Sequence, residues 1–168
     1  MLIDTVRLLL FPTVMALAAS TDLLTMTISN RLQLLLVGGF FVLALVTGMS
    51  GATILSHAGA ALVVFAVVFV LFAQGWIGGG DAKLAAATAL WLGFDQLLAY
   101  FVWASLFGGA LTLLLLKFRS LPLPDFLDRE EWVTRLHRMD SGVPYGIALA
   151  AAALMVYPES AFMSAPMP

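Results

Sequence analysis

The chain contains no cysteine. Disulfide bridges, a thiolate nucleophile and cysteine-based zinc sites are therefore excluded. Charge is scarce as well: eight Lys and Arg and ten Asp and Glu make up 11% of the 168 residues, leaving a net charge of −2. The two histidines, His57 and His137, stand far apart. No metal, cofactor or nucleic-acid partner is expected.

What fills the space is apolar, since 62% of the residues are hydrophobic, above the roughly one half typical of a soluble domain. The chain reads as a polytopic membrane protein with the lipid bilayer as its solvent, an all-α bundle of about six transmembrane helices forming a single domain over residues 1–168. The expected helices run near Val6 to Ser20, Leu32 to Thr47, Ile54 to Ala73, Ala82 to Leu92, Gln96 to Phe118 and Val143 to Tyr157. Gly48-Met49-Ser50-Gly51, Gln74 to Gly80, Gly93-Phe94-Asp95 and the polar segment Arg119 to Gly142 mark the breaks. Ala16-Leu17-Ala18 after Arg7 invites a cleaved secretory signal. Asp4 offsets Arg7, however, and the run continues into Asp22, so a retained first helix is expected.

Six crossings put loops one, three and five on one side, and these hold Arg31, Lys83, Lys117, Arg119, Arg129, Arg135 and Arg138, against Arg7 alone on the other. The positive-inside rule then places those loops in the cytoplasm and both termini outside it. Asp22 and Asp81 fall on the same side as a consequence. The fourth span, at 1.5 Å per residue, is only about 16 Å long against a hydrocarbon core of about 30 Å. Its start, and the glycines before it, should therefore dip into the membrane and form a sunken wet cavity at Asp81. Small residues in spans four to six, such as Gly108 and Ala150 to Ala153, suit close helix packing.

Intramembrane acids are costly and are read first as functional. Two aspartates brought together share a proton, so one takes a proton from an attacking water while its protonated partner donates to the scissile carbonyl. Gly78, Gly79 and Gly80 let substrate backbone approach Asp81, whose place at a helix start favours its charge. The plainer alternatives are a helix cap for Asp81 and an interfacial acid for Asp22. Asp95 lies on the opposite side and reads as a cap of the fifth helix. Lys83 sits roughly 200° around the helix from Asp81 and reads as snorkelling to headgroups. His57 reads as a solvated residue of the outer loop, and Asp125 to Asp140 as a short interfacial helix or a solvated connector. Two further readings remain: a small ion-coupled transporter or channel using both aspartates, and a non-catalytic assembly subunit.

Gly78-Gly79-Gly80-Asp81-Ala82-Lys83-Leu84, Asp22 followed by Ile28-Ser29-Asn30, and Val143-Pro144-Tyr145-Gly146 together resemble the motifs of the type IV prepilin peptidases, intramembrane aspartic proteases of the Gly-x-Gly-Asp class. The likeness extends from about Ala19 to Ala153. Ser29 departs from it, standing where proline is usual. The cysteine-bearing insertion of larger members, linked to N-methylation, is absent, so the chain is similar to the short form of Tad/Flp pilus systems. The resemblance implies an inner-membrane endopeptidase, without cofactor, that removes the short basic leader of a prepilin at the cytoplasmic face. It implies Asp22 and Asp81 as the catalytic pair, with Gly78, Gly79, Gly80, Lys83, Asn30, Pro144 and Tyr145 against the substrate.

Overall fold

The computed structural model describes residues 2–124 and 126–164; Asp125, where the mixed-charge segment begins, lies outside them. Among the described residues there are seven α-helices and no strand. They are α1 (Leu2–Thr25), α2 (Asn30–Val46), α3 (Gly51–Ala73), α4 (Gly79–Arg119), α5 (Glu131–His137), α6 (Tyr145–Val156) and α7 (Ala161–Ser164). The expected all-α architecture is what is observed. The fourth and fifth spans are the two arms of α4, residues 79–92 and 94–119, which meet at Gly93, a non-helical residue with φ 68° and ψ 178°. A β-carbon is strained at that φ, and glycine has none.

Three helical stretches, Ile3–Thr25, Gly51–Ala73 and Gly79–Arg119, are long and apolar enough to cross a bilayer, and Asn30–Val46 and Tyr145–Glu159 are shorter apolar helices. Large side chains such as Leu55, Leu98 and Leu113 point outward and stay exposed, as a surface solvated by lipid requires. The protein is a membrane protein.

Local chemistry explains where the helices depart from expectation. The polar stretch Ser20 to Thr25 remains helical because the Ser20, Thr21 and Thr25 hydroxyls donate back to carbonyls three or four residues earlier. Asp22 is therefore carried inside the last turn of α1 rather than just beyond it. The helix stops at Met26, whose φ of 55° is left-handed and whose N–H donates to the Asp22 carbonyl at 2.8 Å. Ser50 caps α3, its side chain accepting from the Thr53 N–H at 3.1 Å, so the second loop is short. His57 consequently lies within α3 and is buried, a correction to the solvated loop residue expected. Its Nδ1 lies 2.8 Å from the Leu90 carbonyl, and its ring fills the space a Gly93 side chain would need.

The core is aromatic toward the Gly93 end and small toward the other. Trp91, fully buried, meets the rings of Phe11, Phe40, Tyr157 and Phe162 at centroid distances of 5.0–6.2 Å. Its indole N–H donates to the Leu36 carbonyl at 2.9 Å. Ala82, Ala85 and Ala89 of α4 and Ala148, Ala152 and Ala153 of α6 are buried, as close approach of membrane helices demands. Arg7, the lone base of its end, is held by the Phe162 carbonyl, and Tyr157 donates to the Arg7 carbonyl at 2.7 Å.

The turn at Gly93 generates a test. A β-carbon there would meet His57 Nε2 at 2.9 Å and force an unfavourable φ, so Gly93→Ala should destabilise the protein by about 2 kcal/mol or more. In detergent the variant should melt lower. Gly38→Ala, with nothing within 4 Å of the added carbon, should melt no lower than the native chain.

Candidate active site

Three helix ends build the site. The last turn of α1 supplies Asp22, the first turn of α4 supplies Asp81, and the first turn of α6 supplies Tyr145 and Gly146. Asp22 is 5% exposed, and its Oδ2 accepts the Gly146 N–H at 2.7 Å across 124 residues of sequence. That N–H is one of the unpaired donors of a helix N-terminus, and the carboxyl oxygen is its partner. Gly146 has to be glycine, because a β-carbon would fall 2.8 Å from Asp22 Oδ2 and 2.7 Å from Ile28 Cδ1.

Asp81 is the third residue of α4, after Gly79 and Gly80, and its Oδ2 lies back over Gly78, 3.1 Å from where a β-carbon would stand. Gly80 packs against Ile28 in the same way, at 3.4 Å from Ile28 Cβ. Ile28 thus wedges the α1–α2 connection between the starts of α4 and α6. Ser29, next to it, holds φ −69° and ψ 144°, the φ that a proline ring enforces. Serine therefore keeps the backbone of a proline at this position.

Both carboxyls line one cavity of about 1040 Å³, together with Met26, Gly78, Tyr145 and residues of α3 and of the second arm of α4. Its walls differ in kind: Arg135, Ser141 and Gly142 are contributed by the segment after α4, whereas Val68, Leu71, Phe101, Ala104 and Leu149 are apolar. From Asp81 to Gly93 is twelve residues, about 18 Å along the first arm, shorter than a hydrocarbon core of about 30 Å. Tyr145 lies over Gly108, which leaves room for its phenol.

The sequence pattern of the type IV leader peptidase family matches residues 9–113, more than half of the chain and inclusive of both aspartates. The chain belongs to the type IV leader peptidase family. None of the curated proteins and none of the solved structures matches it. As a leader peptidase of this family the protein has its chemistry to find in the residues that meet here, and the cavity collects only part of the set singled out in sequence.

Asp22, Asp81, Gly78 and Tyr145 line the cavity. Lys83 and Asn30 do not: Lys83 Nζ donates to Asn30 Oδ1 at 3.0 Å, beside a separate apolar groove between α2, α3 and α4. Gly79 packs on Phe72, and Pro144 is fully buried behind the site. The roles of Gly146 and Arg135 went unrecognised in sequence. Arg135 donates to the Leu24 carbonyl at 2.8 Å, bringing α5 over the end of α1. Asp140, outside the membrane-spanning helices, hydrogen-bonds to Arg138, which holds its carboxyl below the usual range. Among the described residues no three His, Asp or Glu side chains gather into a metal-binding set.

Placement of Asp22 by a single N–H predicts the behaviour of one substitution. Gly146→Ala should push the carboxyl and Ile28 aside and lower peptidase activity roughly tenfold to a hundredfold, with helical content by circular dichroism unchanged. Gly109→Ala, whose added carbon has nothing within 4 Å, should cleave at the native rate.

Proposed function

We propose that this leader peptidase is an aspartic endopeptidase in which Asp22 and Asp81 together activate one water. The observation that carries the reading is the convergence of these two carboxyls, from α1 and α4, on a single cavity. One carboxylate removes a proton from the water as its oxygen attacks the scissile carbonyl. The other, protonated, donates to the carbonyl oxygen, which becomes a hydroxyl in the tetrahedral intermediate. Collapse of the intermediate breaks the C–N bond, and the proton taken from the water passes to the departing amine. The proton affinities involved belong to the pair rather than to either acid.

The substrate we infer is a prepilin of the Flp type, whose short basic leader is removed from an apolar helix. The contrast between the cavity walls supports this, since Arg135, Ser141 and Gly142 suit a polar extended segment and Val68, Leu71 and Phe101 suit a membrane helix. The assignment of faces follows from charge. Seven of the eight basic residues lie in or near the connections at the cavity end, which supports, by the positive-inside rule, a cytoplasmic location of that end in a bacterial inner membrane with both termini outside the cytoplasm. Residues 1–168 would then act as one transmembrane peptidase domain.

Co-expression with an Flp-type prepilin, read as a mobility shift on a gel, tests the proposal. Asp22→Asn and Asp81→Asn should each lower leader removal by at least roughly a hundredfold while the protein still accumulates in the membrane. Full cleavage by either variant would refute the pair, and Asp81-dependent ion flux into liposomes without proteolysis would favour a transporter.

A further inference from the structure

A second cavity opens on the lipid side of the bundle. It is a groove of about 660 Å³ between α2, α3 and the first arm of α4, and it shares no residue with the cavity of the two aspartates. Its floor is small: Ala86 and Ala87 of α4 are buried there. Its rims are large and exposed, Leu34 and Phe41 on α2 and Leu62 and Phe65 on α3. Along α2 the groove extends from Asn30 to Phe41, about 16 Å at 1.5 Å per residue. Half of a hydrocarbon core is about 15 Å, so the groove has the depth of one leaflet.

Only one end of the groove is polar. There Lys83 Nζ donates to Asn30 Oδ1 at 3.0 Å, and the buried Gln33 donates to the Gly80 carbonyl at 3.2 Å. Lys83 is exposed, and among the described residues no carboxylate pairs with it. Asn30 is a neutral partner, so it holds the ammonium in place without cancelling its charge. The first turn of α2 contains no acid, and Arg31, next to Asn30, adds a second exposed base. An apolar trough one leaflet deep with a cation at its mouth matches a lipid chain below an anionic headgroup. A peptide helix fits less well: at about 10–12 Å across and 1.5 Å per residue it occupies about 120–170 Å³ per residue. The groove would then take about five residues of it, against roughly 20 in a membrane span.

We propose that this groove binds an anionic phospholipid, with one acyl chain along the alanine floor and the headgroup phosphate on Lys83 and Asn30. An ammonium has three N–H donors. One is given to Asn30, which leaves two for phosphate oxygens, and the Asn30 amide supplies donors of its own. Basic pockets between membrane helices hold anionic headgroups in this way. The site does not depend on the chemistry assigned to Asp22 and Asp81.

The full-length protein, purified in detergent and titrated with phosphatidylglycerol, tests the site, with bound lipid counted by native mass spectrometry and stability followed by melting temperature. Phosphatidylglycerol should bind at least about fivefold more tightly than phosphatidylcholine, whose headgroup has no net charge, and should raise the melting temperature. Lys83→Gln should weaken phosphatidylglycerol binding about fivefold and remove the preference. Ala61→Phe, which fills the groove, should weaken binding of both lipids. Lys117→Gln removes an exposed base outside the groove and should bind as the native chain does. Equal binding of the two lipids by the native chain overturns the proposal, as does a Lys83→Gln variant with native binding and preference. An equal loss in Lys117→Gln overturns it too, since surface charge at large would then explain the preference, and so does stabilisation by inorganic phosphate alone to the same extent. Should Ala61→Phe fail to fold, Lys83→Gln still decides. If Ala61→Phe keeps its lipid but loses prepilin binding or an oligomer, the groove belongs to the substrate helix or to a second copy, and the proposal falls.

Discussion

Keeping two carboxyl groups together inside a bundle of apolar helices is the constraint around which this protein is arranged. An acid there is expensive unless hydrogen bonds or water compensate it. The chain meets the requirement with helix ends. α1 ends, α4 begins and α6 begins at one cavity, and one donor left over by α6, the Gly146 N–H, is turned toward an acid from α1. The cavity they surround is wide enough to admit water. Glycines appear where backbone must come close to a carboxyl, at Gly78 and Gly146, and the bulk is restored by Ile28, which reaches both helix starts from the α1–α2 connection.

The rest of the bundle serves this convergence. A helix that begins at Asp81 and is to leave the opposite face without a loop in lipid must turn within a residue, and Gly93 provides that turn with His57 locked beneath it. The aromatic cluster about Trp91 fills the end that the short arm leaves broad. The alanine-lined contact between α4 and α6 draws Gly146 up to Asp22. The dispositions of α4 are thus connected: the same reversal that shortens its first arm brings Phe101 and Ala104 to the wall of the cavity that holds Asp81.

Much of this was legible in the sequence, and the reasons are physical. Apolar runs report burial in lipid directly, so the helices and the break at Gly93-Phe94-Asp95 could be read without tertiary information. The triple glycine before Asp81 marks a close backbone approach, and lysine and arginine placement reports which ends lie together. What depended on helix faces was harder. Lys83 is two residues from Asp81, and the rotation between them carries it to Asn30 on the other side of α4. His57 falls inside the expected third helix, but that its ring turns to the Leu90 carbonyl and Gly93 rather than to solvent depends on how α3 packs against α4. Gly146 stands in the motif Val143-Pro144-Tyr145-Gly146, but the role of its N–H was not legible there, since a backbone donor is common to nearly every residue and only the approach of α6 to α1 gives this one a partner.

The segment after α4 has a consequence of its own. Arg119 ties it to α4 through the Leu136 and Gly142 carbonyls and Ser141, and Arg135 ties it to α1, so it forms a canopy anchored on both banks of the cavity. From Ser105 to Arg119 the second arm rises fourteen residues, about 21 Å, to hold it there. A lone extended strand of polypeptide would fit beneath such a roof more readily than a folded domain. Selection by shape would thus precede selection by side chain, sparing the globular parts of neighbouring proteins from hydrolysis.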